Sequence, residues 1–109
     1  MSESLVEITT TVSSEAEAVE LARNLVEGGV LACVTFFPVR SIYRWQGELC
    51  DDQEYQVVGK TTADRVDSAE SKIRELHSYD TPAILVLPVL KSHEGYARWV
   101  RESVGSNDG

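Results

Sequence analysis

The sequence predicts a single α+β domain, a βαββαβ sandwich with a short helix at its C-terminal end. Three observations carry this prediction. The chain has 109 residues, 42% of them apolar, enough for one core and too few for two. Its hydrophobic periodicity changes in the order strand, helix, strand, strand, helix, strand, helix. The joints between these segments are short and marked by Gly, Pro and Ser. This order is the split βαβ arrangement of ferredoxin-like domains. The domain is read as the whole chain, 1–109, ordered over about 4–103, with polar tails at 1–4 and 105–109.

Residues 5–12 alternate Val6 and Ile8 with Glu7 and Thr9, the two-residue period of a strand. Ser14 stands three before Glu17, a capping-box spacing. Ala18, Val19, Ala22, Leu25 and Val26 then follow at helical intervals, and Gly28-Gly29 ends the helix. Residues 30–37 (VLACVTFF) are almost continuously apolar and read as a buried central strand, with a bulge or bend expected at Pro38. Strand character resumes at 41–45, turns at Gln46-Gly47, and returns through 54–61 as a long hairpin. Thr62 is placed to cap a second helix with Val66, Ala69, Ile73 and Leu76 as its buried stripe. Pro82 breaks the chain before an apolar strand at 83–90, where Pro88 implies an edge or a bulge. Ser92 is expected to cap the last helix, which carries Tyr96, Trp99 and Val100. Two helices cover one sheet face. The strands look apolar on both sides, so the other face calls for burial between subunits.

Ten basic residues against 18 acidic ones leave a net charge of −8. That balance argues against nucleic acid and against an anionic membrane surface. The longest apolar run is far too short to span a bilayer. Cys33 and Cys50 form neither a CxxC nor a metal-finger spacing. With no signal-peptide pattern, they imply a reducing, cytoplasmic setting. Nothing in the chain matches a P-loop, a dinucleotide fingerprint, HExxH or GxSxG. Cys33 sits in an apolar strand and reads as a small core residue with an inert thiol, so a Cys33/His77 nucleophilic pair is set aside.

His77 closes the second helix, where a cationic ring suits the negative helix end and a neutral one can ligate copper or zinc. His93 sits among polar neighbours and reads as solvated. Tyr43 and Trp45 are two apart on a strand and share one sheet face. They serve either hairpin packing or an interface or pocket wall. Lys60 is read as pairing with an acid such as Asp80, as binding an anion, or as simply solvated.

Several of these segments resemble the CutA family of divalent-cation tolerance proteins, in order and in spacing, over about residues 4–103. The matching pieces are Leu31-Ala32-Cys33-Val34, Ser41-Ile42-Tyr43-Arg44-Trp45-Gln46-Gly47-Glu48-Leu49, Lys60-Thr61, Leu76-His77-Ser78-Tyr79-Asp80-Thr81-Pro82, and Tyr96 with Trp99-Val100. The resemblance implies a homotrimer with a PII-like shape, a role in tolerance to divalent metal ions, copper especially, and no enzymatic activity. No cofactor is obligatory; copper or another divalent cation is the implied ligand. Clefts between subunits are implied at Tyr43, Trp45, Lys60 and Tyr79, with His77 and Asp80 as the metal-ligand candidates. The family's His-Pro-Tyr-Glu-x-Pro-Glu stretch is altered here, with Ser78, Asp80 and Ala83 in place of Pro, Glu and the final Glu. Copper ligation in some bacterial members is attributed to a first-strand Cys and a pair of adjacent histidines; these positions read Thr10 and Leu76-His77. The alternative implied function is a PII-like signalling or scaffolding trimer that binds a small anionic ligand through Lys60 and the Tyr43/Trp45 pair.

Overall fold

The computed structural model describes residues 3–105, so most of the two expected tails, 1–4 and 105–109, lies outside the described residues. Strand β1 (Leu5–Val12) leads into helix α1 (Glu15–Glu27). Ser14 caps α1 by accepting the Glu17 amide at 3.1 Å. The Glu17 carboxylate turns back to the amide and hydroxyl of Ser13, 3.3 and 2.9 Å away, so the reciprocal half of the capping box is shifted by one residue. Gly29, at φ +76°, makes the left-handed exit from α1.

Strands β2 (Cys33–Trp45) and β3 (Glu48–Thr62) form the long hairpin. Gln46 and Gly47 join them with φ of 51° and 83°, the pair of positive values a type I′ turn needs to match the strand twist. A 3-10 turn (Ala63–Arg65) precedes helix α2 (Val66–Leu76). Strand β4 (Leu85–Pro88) and helix α3 (Glu94–Val104) complete the chain. The sheet order is β2-β3-β1-β4, antiparallel throughout, as the ferredoxin-like reading requires.

Several local expectations are corrected. The apolar stretch 30–37 is not a central strand, because β2 lies at the sheet edge and starts only at Cys33. Pro38 causes no bulge. Pairing runs unbroken from Cys33↔Lys60 to Trp45↔Glu48, since an edge strand tolerates a residue with no amide proton. The strand expected over 83–90 shrinks to Leu85–Pro88, paired only with β1, and Pro88 marks its end. Ser92 does not cap α3. His93 does, its Nδ1 accepting from the amides of Gly95 and Tyr96, so that ring is a cap rather than merely solvated.

The strand period sorts residues onto two faces. Ile8 and Val12 of β1 and Val57 of β3 pack beneath α1 and α2 with Leu21, Leu25, Ala69 and Ile73. On the opposite face α3 covers one end, where Leu5 and Ala32 pack with Ala97, Val100 and Val104. The rest of that face is open and leaves Leu85, Leu87 and Phe37 exposed. Strand β1 reaches only Tyr55–Thr62 of β3. Beyond it the hairpin continues as a two-stranded ribbon, which accounts for the long 45 Å axis against 25 and 20 Å for the others.

Candidate ligand cleft

The open face meets the turn after α2 in a cleft of about 490 Å³. The ribbon supplies Tyr43 and Trp45 from β2 and Glu54 from β3; β1 supplies Thr11; residues 79–81 and Ala83 form the far wall. Tyr43 and Trp45 are 40% and 47% exposed, so their rings present free surface. Of hairpin packing and an interface or pocket wall, the protomer places both on the lining of this depression.

His77 holds the far wall in position. Its side chain is fully buried. Its Nε2 lies 2.9 Å from the Thr11 carbonyl and 3.2 Å from the Thr10 hydroxyl. Its Nδ1 accepts the Tyr79 amide at 3.1 Å. A carbonyl can only accept, so the proton sits on Nε2 and the ring is the neutral tautomer. The Tyr79 ring packs against the imidazole, with centroids 4.9 Å apart. Glu17 supports the same turn by accepting from the amide and the hydroxyl of Ser78, both at 3.1 Å. Proline at position 78 would lack both donors, so the family departure at Ser78 creates this link. Partial burial opposes the Glu17 charge, but the donors from Ser13 and Ser78 outweigh it and hold its carboxyl below the ordinary glutamate value.

Two phenols donate to carboxylates in and beside the cleft. Tyr79 Oη donates to Glu54 at 2.5 Å, and Tyr43 Oη donates to Asp52 at 2.6 Å. Tyr79 is pushed well above the usual phenol range, first by burial and then by the Glu54 acceptor. Tyr43 is pushed up chiefly by its bond to Asp52. Both therefore stay protonated at physiological pH.

The fold thus brings Tyr43, Trp45, Tyr79 and Asp80 together, with His77 behind them. Within the protomer, Lys60 Nζ lies 3.7 Å from Glu7 rather than Asp80, and Lys60 is not among the residues that line this cleft. Cys33 is half-buried with its sulfur 3.4 Å from Tyr96 Oη, and so sits beside α3 rather than in the core beneath α1 and α2. Sequence reading missed Glu54, and it gave Glu17 a capping role but not its link to Ser78. Glu54 is the first residue of the strand expected at 54–61, but only the folded chain brings it within hydrogen-bond reach of Tyr79 in the turn after α2. Among the described residues no three His, Cys, Asp or Glu side chains converge as a metal-ligand set. A transition metal therefore finds no preformed chelate within one protomer. A second depression, on the hairpin, holds the exposed Arg40–Asp51 ion pair at 2.7 Å, whose charges satisfy each other.

A four-stranded antiparallel sheet with two helices on one face and a third at one end of the other, a long hairpin and an aromatic cleft place the protein in a defined class. The chain belongs to the CutA1 divalent ion tolerance protein family, whose model matches residues 6–103. It is 41% identical over 96 residues to the divalent-cation tolerance protein CutA of Thermus thermophilus, covering 87% of this chain and 93% of that one. Among solved structures it is similar to CutA from Synechococcus elongatus, with TM-score 0.91, 39% identity, and coverage of 94% and 92% of the two chains. It is also similar to a CutA from Archaeoglobus fulgidus described as a periplasmic divalent cation tolerance protein, with TM-score 0.91, 29% identity, and coverage of 93% and 99%. No helix among the described residues is long and apolar enough to cross a membrane.

Proposed function

We propose that the protein acts in divalent-cation tolerance as a cytoplasmic, non-enzymatic homotrimer whose open sheet faces are buried between subunits and whose clefts bind a ligand. Family membership supports the tolerance role. The observation that carries the cleft reading is the convergence of Tyr43, Trp45, Tyr79 and the buried Glu54 on one concave surface, braced by the buried His77. The exposed Leu85, Leu87 and Phe37 support the trimer, because a face this apolar is normally covered.

Copper(II) is the cation to test first. In the observed geometry both His77 nitrogens are engaged, so a divalent cation entering the cleft meets the oxygens of Glu54 and Asp80 instead. Direct ligation by His77 with Asp80 would require the ring to release Tyr79 or Thr11. Isothermal titration with copper(II), with molar mass measured by light scattering in the same buffer, tests the proposal. Saturable binding at a whole number of sites per trimer, kept in His77→Asn, whose amide oxygen can still accept from Tyr79, fits carboxylate coordination. Loss of binding in both His77→Asn and His77→Gln, with the fold retained, would return His77 to the ligand set. A small anionic ligand is the second reading; within one protomer Lys60 lies against Glu7, and no Lys or Arg among the described residues lines the cleft.

A further inference from the structure

We propose that the N-terminus of α3 is an acid-sensitive clasp: His93 holds the first turn of the helix only while its ring is neutral, so a fall in pH through the imidazole range releases that turn. The inference concerns contacts within one chain and is independent of what the cleft binds. Three observations carry it. First, the cap is an imidazole nitrogen. His93 Nδ1 accepts from the Gly95 amide at 3.1 Å and from the Tyr96 amide at 3.4 Å. The neutral tautomer that does this carries its proton on Nε2. A second proton can go only to Nδ1, where it replaces the acceptor with a donor that faces two other donors. The usual capping side chains, Ser, Thr, Asn and Asp, keep their acceptors over the same range of pH.

Second, a charged ring finds no compensation in this place. The positive pole of α3 lies beside it and repels a cation. Among the described residues no Asp or Glu of any element lies within ion-pair distance of the His93 ring. Its charged neighbours along the chain are Lys91, of the same sign, and Glu94, whose carboxylate is taken by Arg101 at 3.2 Å. The ring is also seated on the turn it caps, since a Cβ at Gly95 would come within 2.9 Å of its Cε1. Third, the turn it holds carries packing contacts. Tyr96 Oη lies 3.4 Å from the sulfur of Cys33 on β2, and the Tyr96 ring packs on Trp99 with centroids 5.7 Å apart. Ala97, the next residue, packs with Leu5 and Ala32. Releasing the turn therefore loosens α3 where it meets the sheet. The sign follows from proton counting. The unfolded chain leaves the ring free to take a proton and the capped helix does not, so stability falls as pH falls across the imidazole range.

The test compares the full-length protein with His93→Asn, His93→Ser and His93→Ala. Melting midpoints are measured at one protein concentration between about pH 8 and pH 5, the window in which an imidazole changes charge. Asn and Ser cap without titrating there, whereas Ala does not cap at all. His77 and the carboxylates are common to all four proteins, so differences between the curves belong to position 93. Wild type is expected to run close to the Asn and Ser variants at the alkaline end and to fall below them by about 4–8 °C in acid, toward the Ala variant. The Ala variant is expected to keep a constant offset below Asn and Ser. In amide proton–nitrogen spectra of the wild type, the Gly95 and Tyr96 resonances are expected to move with the same midpoint as the His93 ring. Melting curves that run parallel for wild type and both capping variants would overturn the proposal. So would Gly95 and Tyr96 resonances that stay in place while the ring titrates.

Discussion

His77 offers the sharpest test of how the cleft is built. Replacing it with alanine removes a fully buried ring and leaves the Thr11 carbonyl and the Tyr79 amide without their partner. Each orphaned buried group costs about 1–3 kcal/mol. Water entering the polar cavity will recover part of this loss, so the net destabilisation is about 3 kcal/mol. For a domain of this size each kcal/mol moves the melting midpoint by about 4–8 °C, so His77→Ala should melt about 12–24 °C lower. Protein concentration must be held fixed, because subunit association adds its own stability. The two halves of the ring can then be restored separately. An asparagine oxygen falls near the position of Nδ1 and can accept from Tyr79; a glutamine nitrogen falls near Nε2 and can donate to Thr11. Each variant should regain roughly half of the lost midpoint. Scanning calorimetry of the four proteins decides the matter. A shift of less than about 4 °C for alanine, or amide variants no better than alanine, would refute the claim that these hydrogen bonds hold the wall.

Three further outcomes are expected. Glu17→Gln should lower the melting midpoint near neutral pH. The folded-state pKa of Glu17 lies below its ordinary value of 4.5, so its stabilisation is present above that value and is lost as pH falls through the lower folded value. The two thermal curves should therefore converge in acid, and parallel curves would contradict the Ser13 and Ser78 bonds. Gly59→Ala places a methyl 2.5 Å from Leu31 Cδ1 in the packed core and should cost about 1–3 kcal/mol, read by urea denaturation. Gly47→Ala strains the turn at φ +83° and should cost about 1 kcal/mol, whereas Gln46→Asn suits φ 51° and should melt at or slightly above wild type.

The element order was legible because each segment carries its own period. Ala69 and Ile73 are buried where the helical stripe puts them, and Gln46-Gly47 turns as its glycine indicates. Errors arose where two arrangements share one local pattern. An apolar run such as 30–37 serves equally in a central strand or in an edge strand whose exposed side another surface covers, and only pairing with β3 alone distinguishes them. The Ser92/His93 cap was misplaced because an imidazole nitrogen can do what a hydroxyl does, which the usual residue preferences do not anticipate. In the cleft, the Tyr-x-Trp spacing was visible in the sequence. Glu54 was not, because its meaning depends on a hydrogen bond from Tyr79, 25 positions further along the chain, that no local pattern announces.

The unbroken pairing of β2 with β3 also limits how this chain can change in length. With no bulge to absorb an extra residue, inserting or deleting one between Phe37 and Trp45 would turn every later side chain of β2 to the opposite face. Tyr43 and Trp45 would leave the cleft for the helix side, and Ile42 and Arg44 would take their places. Lengthening by two residues in each strand keeps every face and merely moves the tip outward by about 7 Å. The hairpin can thus grow or shrink only in even steps, and its reach is adjustable while its chemistry is not.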